Sequence, residues 1–78
     1  MTIGQLVKRH CEENKISHFE FADMVNMTPC SVSRLVRNEW FPAIPYIKNI
    51  AKVLGMSYME LITEHFSTFD NDDEVIKV

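Results

Sequence analysis

The segment TPCSVSRLVR, in the middle of the chain, holds the side chains best suited to bind a partner. If this segment is a helix, a rotation of about 100° per residue turns its polar side chains away from Val32 and Leu35, the apolar stripe. The polar group consists of a thiol, a hydroxyl and two guanidinium groups: Cys30, Ser33, Arg34 and Arg37. A short basic face is often simply solvated, so its meaning depends on the fold that presents it.

The other reactive side chains do not have the pattern of a catalytic or metal site. His10 and Cys11 are adjacent, but neighbouring helical residues point about 100° apart, and no third group completes a nucleophilic arrangement. The histidines and cysteines also lack the ligand spacing of a zinc finger. We therefore expect no enzymatic activity, no metal and no cofactor. Redox sensing by Cys30 is an alternative, because an exposed thiol at a helix N-terminus is typical of reactive cysteines.

Length and composition predict a single all-α domain. The chain has 78 residues, of which 46% are hydrophobic and 24% are charged, as in ordinary globular proteins. A chain of this size removes about 60 to 65% of its unfolded surface from water, which is enough for one core. The low content of glycine (two) and proline (three) favours helices joined by short turns.

Apolar periodicity and capping signals predict five short helices. The predicted ranges are 3–14, 18–25, 29 to about 38, about 43–54, and 58–66. Ser17 with Glu20, and Ser57 with Glu60, have the spacing of a capping box. The predicted core residues are Ile3, Leu6, Val7, Cys11, Phe21, Ala22, Val25, Val32, Leu35, Val36, Ile44, Ile47, Ile50, Ala51, Leu54, Leu61 and Ile62.

The joint between the second and third helices has its own signals. Asn26 is one of the few residues that tolerate the left-handed backbone of a sharp helix exit. Thr28 can cap the next helix, and Pro29 suits its first position. Gly55 is the expected C-terminal cap of the fourth helix. The second and third helices should therefore meet through a tight turn.

Charge divides the chain into a domain over residues 1–66 and a tail over residues 67–78. The domain carries seven Lys or Arg and seven Asp or Glu, so the net charge of −3 comes from the tail, which has four acidic residues and one lysine. We expect this tail to be disordered. Its alternating residues Val75, Ile76 and Val78 could instead add a strand to the sheet of a protein partner.

Cysteine usage and hydropathy predict a cytoplasmic protein. The two cysteines lie in helical patterns without a CxxC partner, which favours reduced thiols. The N-terminus has no charged and then apolar leader, and no apolar run approaches the roughly 20 residues of a membrane span. We expect no association with a membrane.

Together these features resemble the Cro/C1-type helix-turn-helix family over roughly residues 3–63. The similarity rests on spacing that matches without an insertion. The residues that carry it are Ile16-Ser17, Phe21-Ala22, Val32-Ser33-Arg34-Leu35, Pro42, Ile50-Ala51-Lys52, Leu54-Gly55-Met56-Ser57 and Leu61. The resemblance implies a lambda-repressor-like bundle of five short helices, with the helix-turn-helix at helices 2 and 3 and helix 3 in the major groove of DNA.

The sequence departs from the family pattern in three places. Asn26 replaces the usual glycine of the turn. Cys11 and Val36 occupy the positions of an arginine and glutamate that pair in many members, and we predict that these two side chains touch, since replacing both ends of a buried ion pair strands no charge. At residues 38–41 the family usually has a glycine and small or basic residues, which this sequence lacks, so it does not support the family's customary phosphate contacts there.

The resemblance implies two sets of DNA contacts. The base-facing positions are Pro29, Cys30, Ser33 and Arg34. Arg34 is the expected guanine reader, because its fork can donate two hydrogen bonds to O6 and N7. The phosphate-contacting positions are Ser17 and His18, at a helix N-terminus that favours an anion, while Arg37 and Lys48 add positive charge.

Apolar side chains late in the chain exceed what five small helices easily bury, which predicts a homodimer reading half-sites about 10 bp apart. The expected dimer surface is Tyr58, Met59, Ile62, Phe66 and Phe69, and the competing surface is Trp40-Phe41. The sequence therefore predicts a DNA-binding transcriptional regulator, a repressor of phage or bacterial type that reads a palindromic operator. The alternative is a protein-interaction module, such as an antitoxin or antirepressor, that uses the same fold and the tail.

Overall fold

The computed structural model describes residues 1–69, which form five helices and no strand. The helices are α1 (Ile3–Asn14), α2 (His18–Val25), α3 (Pro29–Val36), α4 (Ile44–Leu54) and α5 (Tyr58–Ser67). This architecture confirms the all-α prediction. None of the helices in the described part of the chain is long and apolar enough to cross a membrane. The predicted tail falls mostly on residues 70–78, outside the described residues, and α5 continues one residue past its predicted end.

Three of the helices begin with a capping box, a reciprocal pair of hydrogen bonds between the cap residue and the residue three positions later. Both predicted capping boxes are present: the Ser17 hydroxyl accepts from the Glu20 N–H at 3.1 Å, and the Ser57 hydroxyl accepts from the Glu60 N–H at 3.1 Å. A third box, which the sequence reading missed, joins Thr2 to Gln5 at the start of α1. Each box satisfies backbone donors that a helix start would otherwise leave unpaired.

A three-residue turn, 26–28, joins α2 to α3. Asn26 adopts the predicted left-handed conformation, with φ of 61°, and the Met27 N–H donates to the Ala22 carbonyl at 2.8 Å. The Thr28 side chain caps α3 by accepting from the Ser31 N–H, and Pro29 is the first helical residue. All three predicted roles in this joint are confirmed.

The predicted core is confirmed for most of its members. Thirteen buried apolar residues from all five helices form one cluster: Ile3, Leu6, Val7, Cys11, Phe21, Ala22, Val25, Val32, Leu35, Ile47, Ile50, Ala51 and Leu61. Val36, Leu54 and Ile62 are only half-buried against it. Contact between the Cys11 and Val36 side chains stays a prediction, although both residues belong to this apolar region.

The prediction that Ile44 belongs to the core is wrong, because its side chain is 55% exposed. Ile44 is the first residue of α4, so no helical turn precedes it. Side chains lean toward the N-terminus of their helix, and that of Ile44 therefore projects past the helix end instead of onto the core.

The last helical residue of α3 is Val36, and Asn38 ends the helix as predicted. Asn38 has a positive φ of 59°, and its N–H donates to the Leu35 carbonyl at 3.0 Å. The Glu39 N–H closes the turn by donating to the Arg34 carbonyl at 2.9 Å. The left-handed residue thus ends the helix and satisfies its last carbonyls, which is the usual function of such a cap.

The start of α1 packs directly on this end of α3. A side chain at Gly4 would put its Cβ far inside van der Waals contact of the Leu35 carbonyl oxygen and 2.9 Å from the Asn38 amide oxygen. The Thr2 hydroxyl donates to the same Asn38 oxygen at 2.8 Å. Only a residue without a side chain allows the two backbones to approach this closely.

The fifth helix holds the other side of the α1 start. The Ile3 N–H donates to Nδ1 of His65 at 3.0 Å, and the N-terminal ammonium group pairs with Glu64 at 2.5 Å. Burial, reinforced by the nearby ammonium group, lowers the pKa of His65. The first turn of α1 is therefore fixed between the end of α3 and the last turns of α5.

Replacing Gly4 by alanine tests the close approach of α1 and α3. Glycine to alanine inside a helix normally stabilises by up to about 1 kcal/mol, but here we expect a loss of about 2 kcal/mol, because the new methyl group overlaps the Leu35 carbonyl. The measurement is urea unfolding followed by circular dichroism. Gly55→Ala is the matched control: it has open space but a φ of 74°, and should lose about 1 kcal/mol through backbone strain alone. A stabilising Gly4→Ala would contradict the packing.

Acid should weaken the fold through His65. Because the pKa of His65 is lower in the folded chain, the unfolded state takes up its proton more readily. The stability contributed by neutral His65 is present above about pH 6.5 and is lost as the pH falls through the lowered folded pKa. Thermal melts from about pH 7.5 to about pH 5 should show a steeper fall in Tm for the wild type than for His65→Gln. Parallel slopes would be inconsistent with this account.

Candidate nucleic-acid interface

The outward face of α3 presents a guanidinium group and a thiol to solvent. Cys30 and Arg34 are both exposed, and their spacing of four residues puts them on adjacent turns of one helix face. Pro29 and Ser33, the other two predicted base-facing residues, are half-buried beside them. Within residues 1–69, no hydrogen bond or ion pair involves the Arg34 side chain. The structure therefore brings all four residues together on one helix and leaves its most strongly hydrogen-bonding group free.

This face is held in place because the opposite side of the helix is buried and its first turn is capped. Val32 and Leu35 lie in the core on the opposite side of α3, with no more than 2% of either residue exposed. The Thr28 cap fixes the first turn, and its hydroxyl also donates to the Ser31 hydroxyl at 2.9 Å. Ser31 is a residue that the sequence reading left unassigned, since its position on the wheel lies between the buried and exposed arcs.

Unlike Arg34, Arg37 is hydrogen-bonded to an acidic side chain. It is the residue after the end of α3, and its guanidinium group donates to both carboxylate oxygens of Glu39, at 2.9 and 3.3 Å. Both side chains are more than half exposed, so the pair contributes at most about 1 kcal/mol and can open. A phosphate contact by Arg37 would have to compete with Glu39.

At the predicted phosphate site at the start of α2, the carboxylate of Glu20 already accepts one of the backbone hydrogen bonds. The Ser17 N–H donates to the Glu20 carboxylate at 3.1 Å, and the Ser17 hydroxyl is engaged by the Glu20 N–H. This leaves the N–H groups of His18 and Phe19 as the unused donors of the first turn. A phosphate there would meet the Glu20 carboxylate, which opposes the attraction of the helix N-terminus.

Lys48, the last predicted phosphate ligand, lies next to the fifth helix. Its Nζ atom is 5.9 Å from the centre of the Tyr58 ring, within the range of a cation–π contact. Lys48 is exposed, so the contact does not remove its charge from solvent. Its positive charge thus belongs to the surface formed by α4 and α5.

No family model, curated protein or solved structure matches this chain.

The two competing dimer surfaces form one aromatic cluster in the structure. The ring of Phe41, from the loop before α4, lies 4.9 Å from that of His65 and 5.7 Å from that of Phe66. His65 also contacts Phe69, at 5.3 Å between ring centres. Phe41, Phe66 and Phe69 nevertheless remain between 44 and 59% exposed. This aromatic surface joins the Trp40-Phe41 loop to the end of α5, a link that periodicity could not show.

The other residues of the predicted dimer surface differ in how exposed they are. Met59 is 65% exposed, whereas Tyr58 and Ile62 are half-buried against the core. Two further apolar side chains, Phe19 and Met24 on α2, are exposed and were missed by the sequence reading. The described residues contain no group of three or more His, Cys, Asp or Glu side chains that could hold a metal ion.

Thiol labelling should distinguish the two cysteines and verify the exposed face of α3. Cys30 is exposed, while burial and the neighbouring Glu12 carboxylate raise the pKa of the Cys11 thiol. With a disulfide reagent, we expect one fast thiol and one slower by on the order of 100-fold or more, since Cys11 reacts only when the fold opens. Cys30→Ser should remove the fast phase alone. Equal rates for the two thiols would show that Cys11 is not buried in the core.

Proposed function

We propose that the chain is a sequence-specific regulator that binds double-stranded DNA, a repressor of phage or bacterial type with a lambda-repressor-like helix-turn-helix formed by α2 and α3. The observation that carries the proposal is the free, exposed guanidinium group of Arg34 on a helix whose opposite face is anchored in the core. The Cro/C1-type sequence resemblance supports the same assignment.

The major groove of B-DNA supplies a matching partner for this face. The groove is about 12 Å wide and accepts a helix, and each base pair presents a distinct set of donors and acceptors in it. Arg34 would donate two hydrogen bonds to O6 and N7 of a guanine. Cys30 and Pro29 would lie against thymine methyl groups, and Ser33 would donate to a base edge or accept from it. The rigid anchoring of α3 reduces the ordering cost of such contacts.

The charges of the domain favour specificity over general affinity. Residues 1–66 have equal numbers of basic and acidic side chains, and Glu20 and Glu39 lie at the places where phosphate contacts were expected. Ser17, His18, Arg37 and Lys48 remain the proposed charged and polar contacts to phosphate. Because non-specific binding depends on neutralised phosphates, base contacts must contribute a large share of the binding free energy.

A homodimer is the proposed assembly. One domain of this size makes few base contacts, and a two-fold pair would read half-sites about 10 bp apart. The aromatic surface, defined by Phe41, Phe66 and Phe69, together with Met59, is the proposed contact between the copies. Its exposed rings are the type of side chain enriched in the cores of protein interfaces.

A protein-interaction module is the second candidate, and the same aromatic surface favours it. Exposed apolar side chains on α2, Phe19 and Met24, add a further region that a protein partner could cover. In this version the α3 face would have no partner of its own. The contribution of the tail to such a complex lies outside the described residues. The two candidates differ in whether Arg34 is needed.

Selection of bound duplexes from a random DNA pool tests the proposal. We expect the wild type to enrich a two-fold symmetric motif, and Arg34→Ala to lose its preference at one base pair of each half-site, a discrimination of about 1–3 kcal/mol. Arg9→Ala is the matched control, because it removes an exposed arginine from α1 and should leave the motif unchanged. If no motif is enriched at low salt, direct DNA recognition is refuted and the interaction module becomes the better description.

A further inference from the structure

Two arginines in the second half of α3 and just after it are open to an anion. Arg34 is exposed and has no hydrogen bond or ion pair within residues 1–69. Arg37 is bonded to Glu39, but both of these side chains are more than half exposed, so their ion pair is weak and can open. The outer face of α3 therefore offers two guanidinium groups to a negatively charged segment of chain.

The densest negative charge of the sequence comes just after the described residues. Residues 70–74, here called the acidic segment, read DNDDE and carry four carboxylates in five positions. The one basic residue in the tail is Lys77. Because residues 1–66 have equal numbers of basic and acidic side chains, the acidic segment is the source of the net negative charge. Its charge is complementary to that of the α3 face.

The position of Phe69 puts the start of the acidic segment beside the end of α3. Phe69 is the last described residue, and it lines a cavity of about 270 Å³ together with Leu35, Asn38 and Glu39. Its ring packs on that of His65, at 5.3 Å between the ring centres. Five extended residues cover up to about 17 Å, whereas a helix of eight residues is about 12 Å long. The acidic segment is thus long enough to reach both arginines.

We propose that the acidic segment contacts Arg34 and Arg37 in the free protein and competes with DNA for the outer face of α3. The competitive role rests on the proposed function, whereas the contact itself needs no DNA. Guanidinium groups donate to carboxylates through the same fork that would donate to a guanine or a phosphate. A duplex must therefore displace the carboxylates before Arg34 can reach a base.

Such a contact is weak enough to be reversible and local enough to matter. Exposed ion pairs are worth little one by one, but a segment of the same chain acts at an effective concentration in the millimolar range. The affinity for every duplex falls in proportion to the fraction of molecules in which the face is covered. Complexes held by phosphate contacts alone are the weakest, so the acidic segment would restrict binding to duplexes that also supply base contacts.

NMR spectra of the arginine side chains in the free protein test the contact. The double variant Asp72→Asn/Asp73→Asn removes two carboxylates and keeps the length of the chain. We expect the Nε–H resonance of Arg34 to move in this variant, and that of the wild type to move toward the same position as salt screens the ion pairs. Arg9, exposed on α1, is the internal control and should not respond to the substitution. An unchanged Arg34 resonance would overturn the inference.

Binding to an unselected pool of random duplexes at low salt tests the competition. We expect Asp72→Asn/Asp73→Asn to bind about fivefold more tightly than the wild type. The matched control, Glu13→Gln/Glu60→Gln, removes the same charge from two cavities beside Met56 that no residue of α3 lines. Glutamine at position 60 keeps the capping box. The control should gain less than about twofold, since its carboxylates act on DNA only over a distance.

The outcomes separate this inference from the proposed function. If duplexes bind and the two double variants gain equally, long-range repulsion accounts for the gain, and the inference is wrong while DNA binding stands. If the Arg34 resonance responds but neither the wild type nor Asp72→Asn/Asp73→Asn binds any duplex, the proposed function fails and the competitive role fails with it. A response of Arg34 together with a larger gain for the tail variant than for the control is the result that we expect.

Discussion

The contact of the α1 start with the end of α3 is the constraint on which the arrangement of the exposed helix depends. Gly4 lets the first turn of α1 lie directly on the Leu35 carbonyl, and Thr2 donates to Asn38, the residue whose left-handed backbone ends α3. At its other end, the Thr28 side chain caps the helix. A helix of eight residues would be marginal in water by itself, so its two fixed ends and its buried stripe are what keep the outer face in place.

The polar groups around α3 differ in whether a neighbouring carboxylate already pairs with them. Glu20 engages the start of α2, and Glu39 engages Arg37, so a carboxylate neutralises each of these positions. Arg34 has no such partner among the residues that the structure describes. A ligand that approaches the outer face of α3 therefore meets one cation that no carboxylate of the described residues neutralises.

Local sequence signals predicted the elements of this fold well, because they act over a few residues. The capping boxes at Ser17 and Ser57, and the left-handed Asn26, depend on neighbours three or four positions away. The error occurred at a helix end: the sequence assigns Ile44 to the core, although Ile44 is the first residue of α4 and no helical turn precedes it. Periodicity describes the middle of a helix and carries little information about where its last turn stops.

The features that matter most to the site depend on contacts between distant parts of the chain. His65 accepts from Ile3 across 62 positions, and the Phe41 ring packs against the end of α5. Trp40 and Tyr46 likewise lie beside the turn that precedes α3, a proximity that no short-range pattern encodes. The pattern of one helix therefore predicts that Arg34 is exposed. It could not show that Arg37 pairs with Glu39 or that the two candidate dimer surfaces are continuous.

The most direct measurement of the central claim is the change in backbone amide chemical shifts when a selected duplex is added to ¹⁵N-labelled protein. If α3 enters the major groove, the largest changes should fall on the amides from Cys30 to Arg34, with small changes along α1. Changes concentrated on the end of α5 and the Phe41 loop, with α3 unaffected, would contradict the account and would assign binding to the aromatic surface.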